Sequence, residues 1–160
     1  MITVSTGCAA GEREDRSGKL AVEGLTDLGL QVTGHEIMAD DRLRIAQSVI
    51  RACDFDPVAL LFLTGGTGPT PDDVTPEAIL GLLQRRFEGI EAAIHEAGRR
   101  QVTTAPLSRA VVGQRGCTIV IAVPGSPGAV NDAIATLTPL LPHLLSLVHG
   151  DQKGHRQPSP

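Results

Sequence analysis

Two short runs of apolar residues dominate the hydropathy pattern of the chain. Residues 58–63 read VALLFL and residues 118–123 read TIVIAV, and turn-forming residues bound both runs. A run of strand length that is apolar on both faces is typical of a strand covered on two sides in a mostly parallel sheet. Residues 2–4 predict a third strand of this kind. The segment 30–37 is more polar and predicts a strand nearer the edge of the sheet.

Helical periodicity occupies the intervals between these predicted strands. Three stretches carry apolar residues at helical spacing, and each spacing predicts one buried helix face. The three stripes are Ala21, Leu25 and Leu28; Ile45, Ala46, Val49, Ile50 and Cys53; and Ile90, Ala93, Ile94 and Ala97. Strands that alternate with helices in this way predict an α/β fold with helices on both faces of the sheet.

Two further helices are predicted, and capping residues or prolines indicate where they begin or break. Residues 76–85 predict a short helix with Thr75 as its N-cap and Pro76 at its first position. Residues 129–149 have a helical pattern that contains two prolines, which predicts a break near Thr138. We expect a single domain over residues 1–149, followed by a polar, disordered tail over residues 150–160.

Composition narrows the function classes. The chain has 160 residues, of which 41% are hydrophobic and only 2% aromatic, and its net charge is −4. These values argue against a nucleic-acid partner, because base stacking and a broad basic surface are both missing. No apolar run reaches the length of a membrane span, and no signal sequence is visible. The three cysteines show no CxxC spacing, so we expect a cytoplasmic protein with no membrane partner and no disulfide framework.

Small-residue loops follow three of the predicted strands, where ligands bind in open α/β sheets. Glycines let the backbone approach a ligand closely, and backbone amides with Ser and Thr hydroxyls donate to anionic oxygens. The loops therefore predict a phosphate-bearing ligand, although neither a P-loop nor a dinucleotide-binding fingerprint is present. The candidate binding residues are Thr64, Gly65, Gly66, Thr67 and Gly68 after the run at residues 58–63, and Pro124, Gly125 and Ser126 after the run at residues 118–123.

Carboxylates accompany these loops. Asp73 follows the glycine loop, Asp40 ends the second strand region, and Asp15 precedes Ser17 at the start of the first helix. Helix capping is the alternative role for such residues, for Asp15 above all. Beside a phosphate, a carboxylate repels the ligand unless a cation bridges the two, so Asp40 and Asp73 are candidate Mg²⁺ ligands. Arg109 is either a phosphate-binding side chain or a solvated surface arginine.

Four motifs together resemble a known family. The run GGTGPTPDDVTPEA at residues 65–78 resembles the signature of the molybdopterin adenylyltransferases of molybdenum cofactor biosynthesis. That family includes the bacterial MogA and MoaB proteins and the G domains of plant Cnx proteins and gephyrin. The motifs DRSG at residues 15–18, LSR at 107–109 and PGSP at 124–127 also match it in order and spacing. The resemblance covers residues 2–150.

The resemblance implies a fold and an activity. The fold is a three-layer α/β/α arrangement with a mostly parallel, mixed central sheet, assembled as a homotrimer or, alternatively, a hexamer. The activity is the Mg²⁺- and ATP-dependent adenylylation of molybdopterin. Asp40 and Asp73 would serve magnesium and catalysis, Ser108 would contact molybdopterin, and residues 65–68 would line the nucleotide-phosphate and pterin pocket. The alternatives are a catalytically inactive molybdopterin-binding or scaffold protein and a fold-related nucleotide pyrophosphatase.

Overall fold

The protein is built around a six-stranded sheet, as described by a computed structural model of residues 1–150. In spatial order the strands are β2-β1-β3-β6-β5-β4. The first four run parallel, and β5 and β4 run antiparallel to their neighbours. The strand bounds are β1 Ile2–Val4, β2 Glu36–Met38, β3 Leu60–Thr64, β4 Arg85–Arg86, β5 Val111–Arg115 and β6 Thr118–Val123.

Helices cover both faces of this sheet. They are α1 Thr6–Ala9, α2 Arg16–Asp27, α3 Arg42–Ile50, α4 Thr75–Ile79, α5 Glu88–Gln101, α6 Pro127–Leu137 and α7 Leu141–Val148. Single turns of other helix types occupy Arg51–Phe55, Leu80–Leu82 and Ala105–Leu107. In residues 1–150 no helix combines the length and the apolarity that crossing a membrane requires.

The central strands are apolar throughout because their alternate side chains enter two different cores. Leu61 and Leu63 on β3 pack with α3 and α4, whereas Phe62 between them packs with α2, α5 and α6. On β6, Val120 and Ile121 divide between the two cores in the same way. The prediction of an α/β fold with a mostly parallel sheet covered on both faces is confirmed.

Two predicted elements are wrong in extent. Of the predicted strand 30–37 only Glu36 and Ile37 pair with β1, and the pairing continues to Met38; the resulting strand β2 does form the edge of the sheet. The helix predicted over 76–85 ends at Ile79, because Arg85–Arg86 pairs with β5 instead. Thr75 is also not a side-chain cap, since its hydroxyl donates to the Gly65 carbonyl oxygen at 2.9 Å.

The hairpin β5–β6 was not predicted, and it adds the antiparallel part of the sheet. Two residues, Gly116 and Cys117, connect the strands, and Gly116 has a φ of 57°, which favours glycine. The last helical region behaves as predicted, because the chain breaks at Thr138 between α6 and α7. Apart from Gly150, the predicted tail lies outside the described residues.

Candidate functional site

Three parallel strands end at one large cavity, and the loops after them form its walls. β1, β3 and β6 lie side by side, so their carboxyl ends meet at the same edge of the sheet. The cavity there, which we call the main cavity, has a volume of about 970 Å³. Of the predicted site residues, it is lined by Ser17, Asp40, Gly65, Gly66, Thr67, Gly68, Asp73, Ser108, Pro124, Gly125 and Ser126.

The glycine loop at residues 65–68 approaches its neighbours too closely for side chains. Gly65 has a φ of 102°, and a Cβ built there would lie 2.0 Å from the Val4 carbonyl oxygen. Gly66 has a φ of 62°. The second small-residue loop packs against the first, because a Cβ on Gly125 would lie 3.1 Å from the Gly65 Cα. Glycine at these positions therefore allows two strand-end loops to touch.

The four carbonyl oxygens of the glycine loop all accept hydrogen bonds from Thr75 or Arg109. Thr75 donates its hydroxyl to the Gly65 oxygen and its amide to the Gly66 oxygen, both at 2.9 Å. The Arg109 amide donates to the Thr67 oxygen at 2.9 Å. The Arg109 guanidinium donates to the Gly68 oxygen at 2.8 and 3.1 Å. Thr75 and Arg109 together thus fix the conformation of the loop.

This arrangement leaves donors for a ligand. Within residues 1–150 we find no acceptor for the backbone amides of Gly66 and Thr67. Successive backbone amides in a glycine-rich turn form a concave anion-binding site. The Thr67 and Ser108 hydroxyls are hydrogen-bonded to each other at 3.4 Å, which leaves one of the two O–H groups as a further donor beside the loop. The chemistry of this wall suits phosphate oxygens.

Asp40 is held at the mouth of the loop by Thr6. Its Oδ2 accepts the Thr6 amide at 3.0 Å and the Thr6 hydroxyl at 2.8 Å. Its Oδ1 faces the glycine loop, because a Cβ on Gly66 would lie 2.9 Å from that atom. No hydrogen bond to this Oδ1 is found in the described part of the chain. One carboxylate oxygen therefore orients the side chain while the other remains available.

Asp73 lies at the far end of the same loop. Its Oδ2 accepts hydrogen bonds from the amide and hydroxyl of Thr70. Partial burial raises the pKa of Asp73, but the bonds from Thr70 and the Gly68 amide, with the charge of Arg109, outweigh it and hold the pKa below its usual value. Asp73 is consequently a carboxylate throughout the physiological pH range.

The two carboxylates fit an Mg²⁺ ion that is shared with a substrate rather than caged by protein. Residues 1–150 contain no group of three or more His, Cys, Asp or Glu residues able to hold a metal. Mg²⁺ is usually bound by one or two carboxylates together with waters and substrate phosphates. Asp40 and Asp73, which flank an anion-binding loop, would supply such a set.

Two arginines bring positive charge to the main cavity, one from the loop between α1 and α2 and one from the first residue of α2. Arg13 and Arg16 both line the cavity. Arg16 lies 3.7 Å from Glu14, whereas Arg13 packs along Gly7 and has no ion pair in residues 1–150. Neither arginine was predicted as a site residue. The loop between α1 and α2 is polar and has no hydrophobic periodicity, so its sequence does not indicate that it lies beside the strand ends.

Three predicted binding residues do not line the main cavity, and each has another role. Arg109 binds the Gly68 and Asp73 carbonyl oxygens and the Glu77 carboxylate, so its charge faces the loop's own backbone and not a ligand. Thr64 is fully buried and donates to the Pro124 carbonyl oxygen at 3.0 Å, joining the two strand-end loops. Asp15 is likewise directed inward.

The Asp15 carboxylate is the N-cap of α2, which is the alternative role that the sequence had suggested for it. It accepts from the Gly18 amide at 2.7 Å and from the hydroxyls of Thr3 and Ser17 at 2.7 and 3.2 Å. His35 lies 3.1 Å away. Asp15 therefore ties α2 to β1 and holds Ser17, which does line the main cavity.

Besides Arg13 and Arg16, sequence reasoning missed the side chains that hold the predicted site residues in place. Thr6 and Thr70 orient the two carboxylates, and Thr75 fixes the glycine loop. All three are threonines within two or three residues of a predicted site residue or beside a strand end. For Thr70 and Thr75 the sequence signal is a hydroxyl within three residues of Asp73. Thr6 is 34 residues from Asp40, so no such signal marks it.

Comparisons with known proteins identify the family of this chain. Residues 1–143 match the family described as "Probable molybdopterin binding domain". A Molybdenum cofactor biosynthesis bifunctional protein of Synechococcus elongatus is 42% identical over 154 residues, which cover 96% of this chain and 48% of that protein. The chain thus spans about half the length of that relative.

Shorter relatives match over most of both chains. A Molybdopterin adenylyltransferase of Helicobacter pylori strain J99 is 33% identical over 153 residues, which cover 94% of this chain and 87% of that protein. The crystal structure of the molybdopterin biosynthesis enzyme MoaB from Thermus thermophilus is 36% identical. It has a TM-score of 0.87 and covers 93% of this chain and 94% of its own. The chain belongs to the molybdopterin-binding family of molybdenum cofactor biosynthesis proteins.

Proposed function

We propose that this chain transfers the adenylyl group of ATP to molybdopterin. In the reaction, an oxygen of the terminal phosphate of molybdopterin forms a bond to the α-phosphorus of ATP. The bond from that phosphorus to the β-phosphate oxygen breaks, and pyrophosphate leaves with the electron pair. The name of the Helicobacter pylori relative supports this assignment.

The observation that carries the proposal is the pairing of an anion-binding loop with two oriented carboxylates. The free amides of Gly66 and Thr67 suit phosphate oxygens. Asp40 and Asp73 stand at either end of the same loop. Phosphoryl-type transfer depends mostly on positioning and on neutralising charge. The site offers both without requiring a protein nucleophile.

Each group then has a separate task. The glycine loop and Ser108 bind the phosphate and pterin groups, and Arg13 offsets negative charge at the cavity mouth. Asp40 and Asp73 would hold Mg²⁺, which, when bound, neutralises phosphate charge and polarises the phosphorus under attack. Thr6 and Thr70 keep these carboxylates in place before a substrate arrives. Arg109 and Thr75 act only through the loop that they fix.

The deciding experiment incubates the purified protein with molybdopterin, ATP and MgCl₂ and detects adenylyl-molybdopterin and pyrophosphate. We expect both products in equal amounts, and neither when Mg²⁺ or molybdopterin is left out. Tight molybdopterin binding without product would favour a binding or scaffold role. Hydrolysis of nucleotides without molybdopterin would favour a pyrophosphatase. Either of these results would overturn the proposed transfer.

We further propose that the chain assembles as a homotrimer, with a hexamer as the alternative. The family resemblance supports this assembly. Several large apolar side chains on the outer surface also support it, among them Phe55 at 75% exposure and Leu43 at 67%. Contiguous exposed apolar patches mark protein–protein contacts, and these side chains are the candidates for such a contact.

A further inference from the structure

A second cavity lies at the amino ends of the parallel strands, at the opposite edge of the sheet from the main cavity. It has a volume of about 670 Å³ and is lined by the first residues of β1, β2 and β3 and by the loops before β2 and β3. The proposed reaction uses no residue of this second cavity. His35, in the loop before β2, lines it and also contacts Thr3, which lines the main cavity.

The His35 imidazole directs its Nε2 into a buried polar cluster. Nε2 lies 2.9 Å from Thr3 Oγ1 and 3.1 Å from Asp15 Oδ2, and the Thr3 hydroxyl donates to the same Oδ2 at 2.7 Å. Burial raises the pKa of Asp15, but its hydrogen bonds and the charge of His35 lower it overall, so the group is a carboxylate at neutral pH. Because Thr3 donates its only hydrogen to Asp15 and a carboxylate only accepts, Nε2 must carry a proton.

The same cluster reaches the main cavity through Thr3 and Ser17, which both line it. Asp15 Oδ1 accepts the Gly18 amide at 2.7 Å and the Ser17 hydroxyl at 3.2 Å. The packing is close, because a Cβ on Gly18 would lie 2.5 Å from Thr3 Oγ1. Thr3, Asp15 and Ser17 are all more than nine-tenths buried, so water screens charges among them weakly. A change of charge on His35 therefore acts directly on the first turn of α2.

Other charged groups near the imidazole come from every element packed against it. They are Asp15 at the start of α2, the Met1 ammonium before β1, Glu36 on β2, Arg51 at the end of α3 and Asp56 before β3. In residues 1–150 only Asp15 lies within ion-pair distance of His35. No hydrogen bond to the His35 Nδ1 is found in the same residues. A proton gained at Nδ1 from the second cavity is consequently felt first by the Asp15 carboxylate.

We propose that His35 is a pH-sensitive positioning residue for the main cavity. This inference rests on the proposed function, because it takes a phosphate-bearing substrate to be the ligand there. Histidine is the side chain that changes charge within the physiological pH range. When the imidazole gains a proton, the hydrogen bond from Nε2 to the Asp15 carboxylate becomes charge-assisted and roughly twice as strong.

Loss of that proton has the opposite effect on the cluster. A neutral imidazole can place its single hydrogen on Nδ1, and Nε2 would then present a lone pair to the oxygens of Asp15 and Thr3. The imidazolium has no such alternative. At mildly acidic pH the first turn of α2 and Ser17 are therefore held more firmly, and the main cavity binds its anionic ligand more tightly.

The first test measures MgATP binding by equilibrium dialysis at pH ~6 and pH ~8, on either side of the usual titration of histidine. His35→Gln keeps an N–H donor but cannot change its charge. The ratio of wild-type to variant affinity removes the titration of ATP itself, which is the same for both proteins. We expect this ratio to be about fivefold larger at the lower pH, the lower end of typical coupling between sites.

His149→Gln is the matched control for this comparison. His149 is exposed at the C-terminal end of α7 and lines neither cavity. The substitution is the same, so the control should bind MgATP like the wild type at both pH values. Thermal unfolding checks that both variants are folded.

A second measurement needs no ligand. The Gly18 amide donates to Asp15, so its hydrogen-exchange rate, resolved by NMR, reports how firmly the first turn of α2 is held. Relative to the intrinsic rate at each pH, exchange in the wild type should be slower at pH ~6 than at pH ~8. His35→Gln should lose this difference. Asp15→Asn should lose it as well, because the carboxylate that responds to the imidazolium is gone.

Three results would overturn the inference: equal Gly18 protection at both pH values in the wild type, a pH difference that persists in His35→Gln, or a His35→Gln variant that is less stable but keeps the wild-type pH dependence of MgATP binding. The proposed function fails separately. If Gly18 protection follows His35 but the wild type binds no MgATP or forms no adenylyl-molybdopterin, the transfer reaction is wrong and the hold of His35 on α2 stands. If transfer occurs while the affinity ratio is the same at both pH values, only the role of His35 is wrong.

Discussion

Asp73 combines two functions, holding the glycine loop and presenting a charge to the main cavity. Asp73→Asn keeps the size of the side chain and one acceptor oxygen for Thr70, but it removes the charge that an Mg²⁺ ligand supplies. We expect adenylyl transfer to fall at least a hundredfold while the melting temperature changes little. Single-turnover rates and thermal unfolding followed by circular dichroism measure the two effects.

Asp72 gives the matched control. It precedes Asp73 and is exposed, and it does not line the main cavity. Asp72→Asn should transfer at the wild-type rate. If Asp73→Asn turns over as fast as Asp72→Asn, then Asp73 only maintains the loop.

Ser108 should affect binding rather than turnover. Ser108→Ala removes a hydroxyl from the wall of the main cavity and leaves the buried Thr67 hydroxyl without its hydrogen-bond partner. A lost hydrogen bond costs ~1 kcal/mol net, and more when a buried partner is stranded. We therefore expect molybdopterin affinity to fall about tenfold, which corresponds to ~1.4 kcal/mol, with the single-turnover rate at saturation retained. Equal affinity with a collapsed rate would contradict this division between Ser108 and the carboxylates.

Individual roles at the site were only partly predictable. The sequence identified Asp73 because it follows the glycine loop and Asp40 because it ends the second strand region, and both line the main cavity. It could not assign Arg109, because the same charge can bind a phosphate or a carbonyl oxygen. Which of these faces the guanidinium depends on contacts 41 and 36 residues away along the chain, to Gly68 and Asp73. Such long-range contacts leave no local pattern.

At the scale of the elements, the N-cap of α2 makes the free energy of unfolding depend on pH in the acidic range. Burial raises the pKa of Asp15, but hydrogen bonds from Thr3, the Gly18 amide and Ser17, with the charge of His35, lower it overall. A carboxyl whose pKa is lower in the folded state stabilises the protein above its unfolded pKa, which is ~3.9 for Asp. That contribution is lost as the pH falls through the lower, folded-state pKa.

Asp15→Asn should therefore destabilise the protein most at neutral pH. The amide keeps one acceptor but replaces the other with a donor facing the Thr3 hydroxyl. We expect a loss of about 1–3 kcal/mol at pH 7, shrinking below pH ~4 as the wild-type carboxyl becomes protonated. Urea unfolding at several pH values measures this difference. A loss that does not change with pH would show that shape rather than charge matters at this cap.

The loop between β3 and α4 has little tolerance for side chains. At Gly65 an alanine would combine a φ of 102° with a Cβ 2.0 Å from the Val4 carbonyl oxygen. Backbone strain alone costs about 1–3 kcal/mol, and relieving the contact must separate the loop from β1. Gly65→Ala should lower the melting temperature and weaken ATP binding together. Gly128→Ala, where a Cβ meets no atom within 4 Å, should change neither.

Strands were predictable from the sequence where both of their faces are buried, because every side chain there must be apolar or small. β6 agrees with its prediction to the residue, because each of its six side chains is buried. β5 is also buried over most of its length but was missed, since Gly113 and Gln114 interrupt its apolar pattern. Gln114 is tolerated there because its side chain bonds Arg85 and the Gly116 carbonyl oxygen. The short strand β4 consists of two arginines. Because it pairs with β5, α4 is shorter than the helix predicted over residues 76–85.

At the scale of the whole molecule, the two apolar cores are complete, yet large apolar side chains remain outside them. Phe55, Leu43 and Leu107 are each more than half exposed. In light scattering at micromolar concentration, we expect a mass three times that of the 160-residue chain. A monomer mass would exclude the proposed trimer, and six times the chain mass would favour the hexamer. Replacing Phe55 with Ser should lower the mass only if that side chain lies in a subunit contact.

The sheet's two boundaries have a consequence for how the protein behaves when concentrated. β2 contributes three residues and β4 only two, and both of the residues in β4 are arginines. A short or charged outer strand is a poor template for strands from other molecules, because few backbone groups are free to pair and like charges oppose each other. The long central strands, which have the composition of fibril-forming segments, are enclosed by neighbours. Crowding should therefore drive this protein toward association through its helices and not toward amyloid.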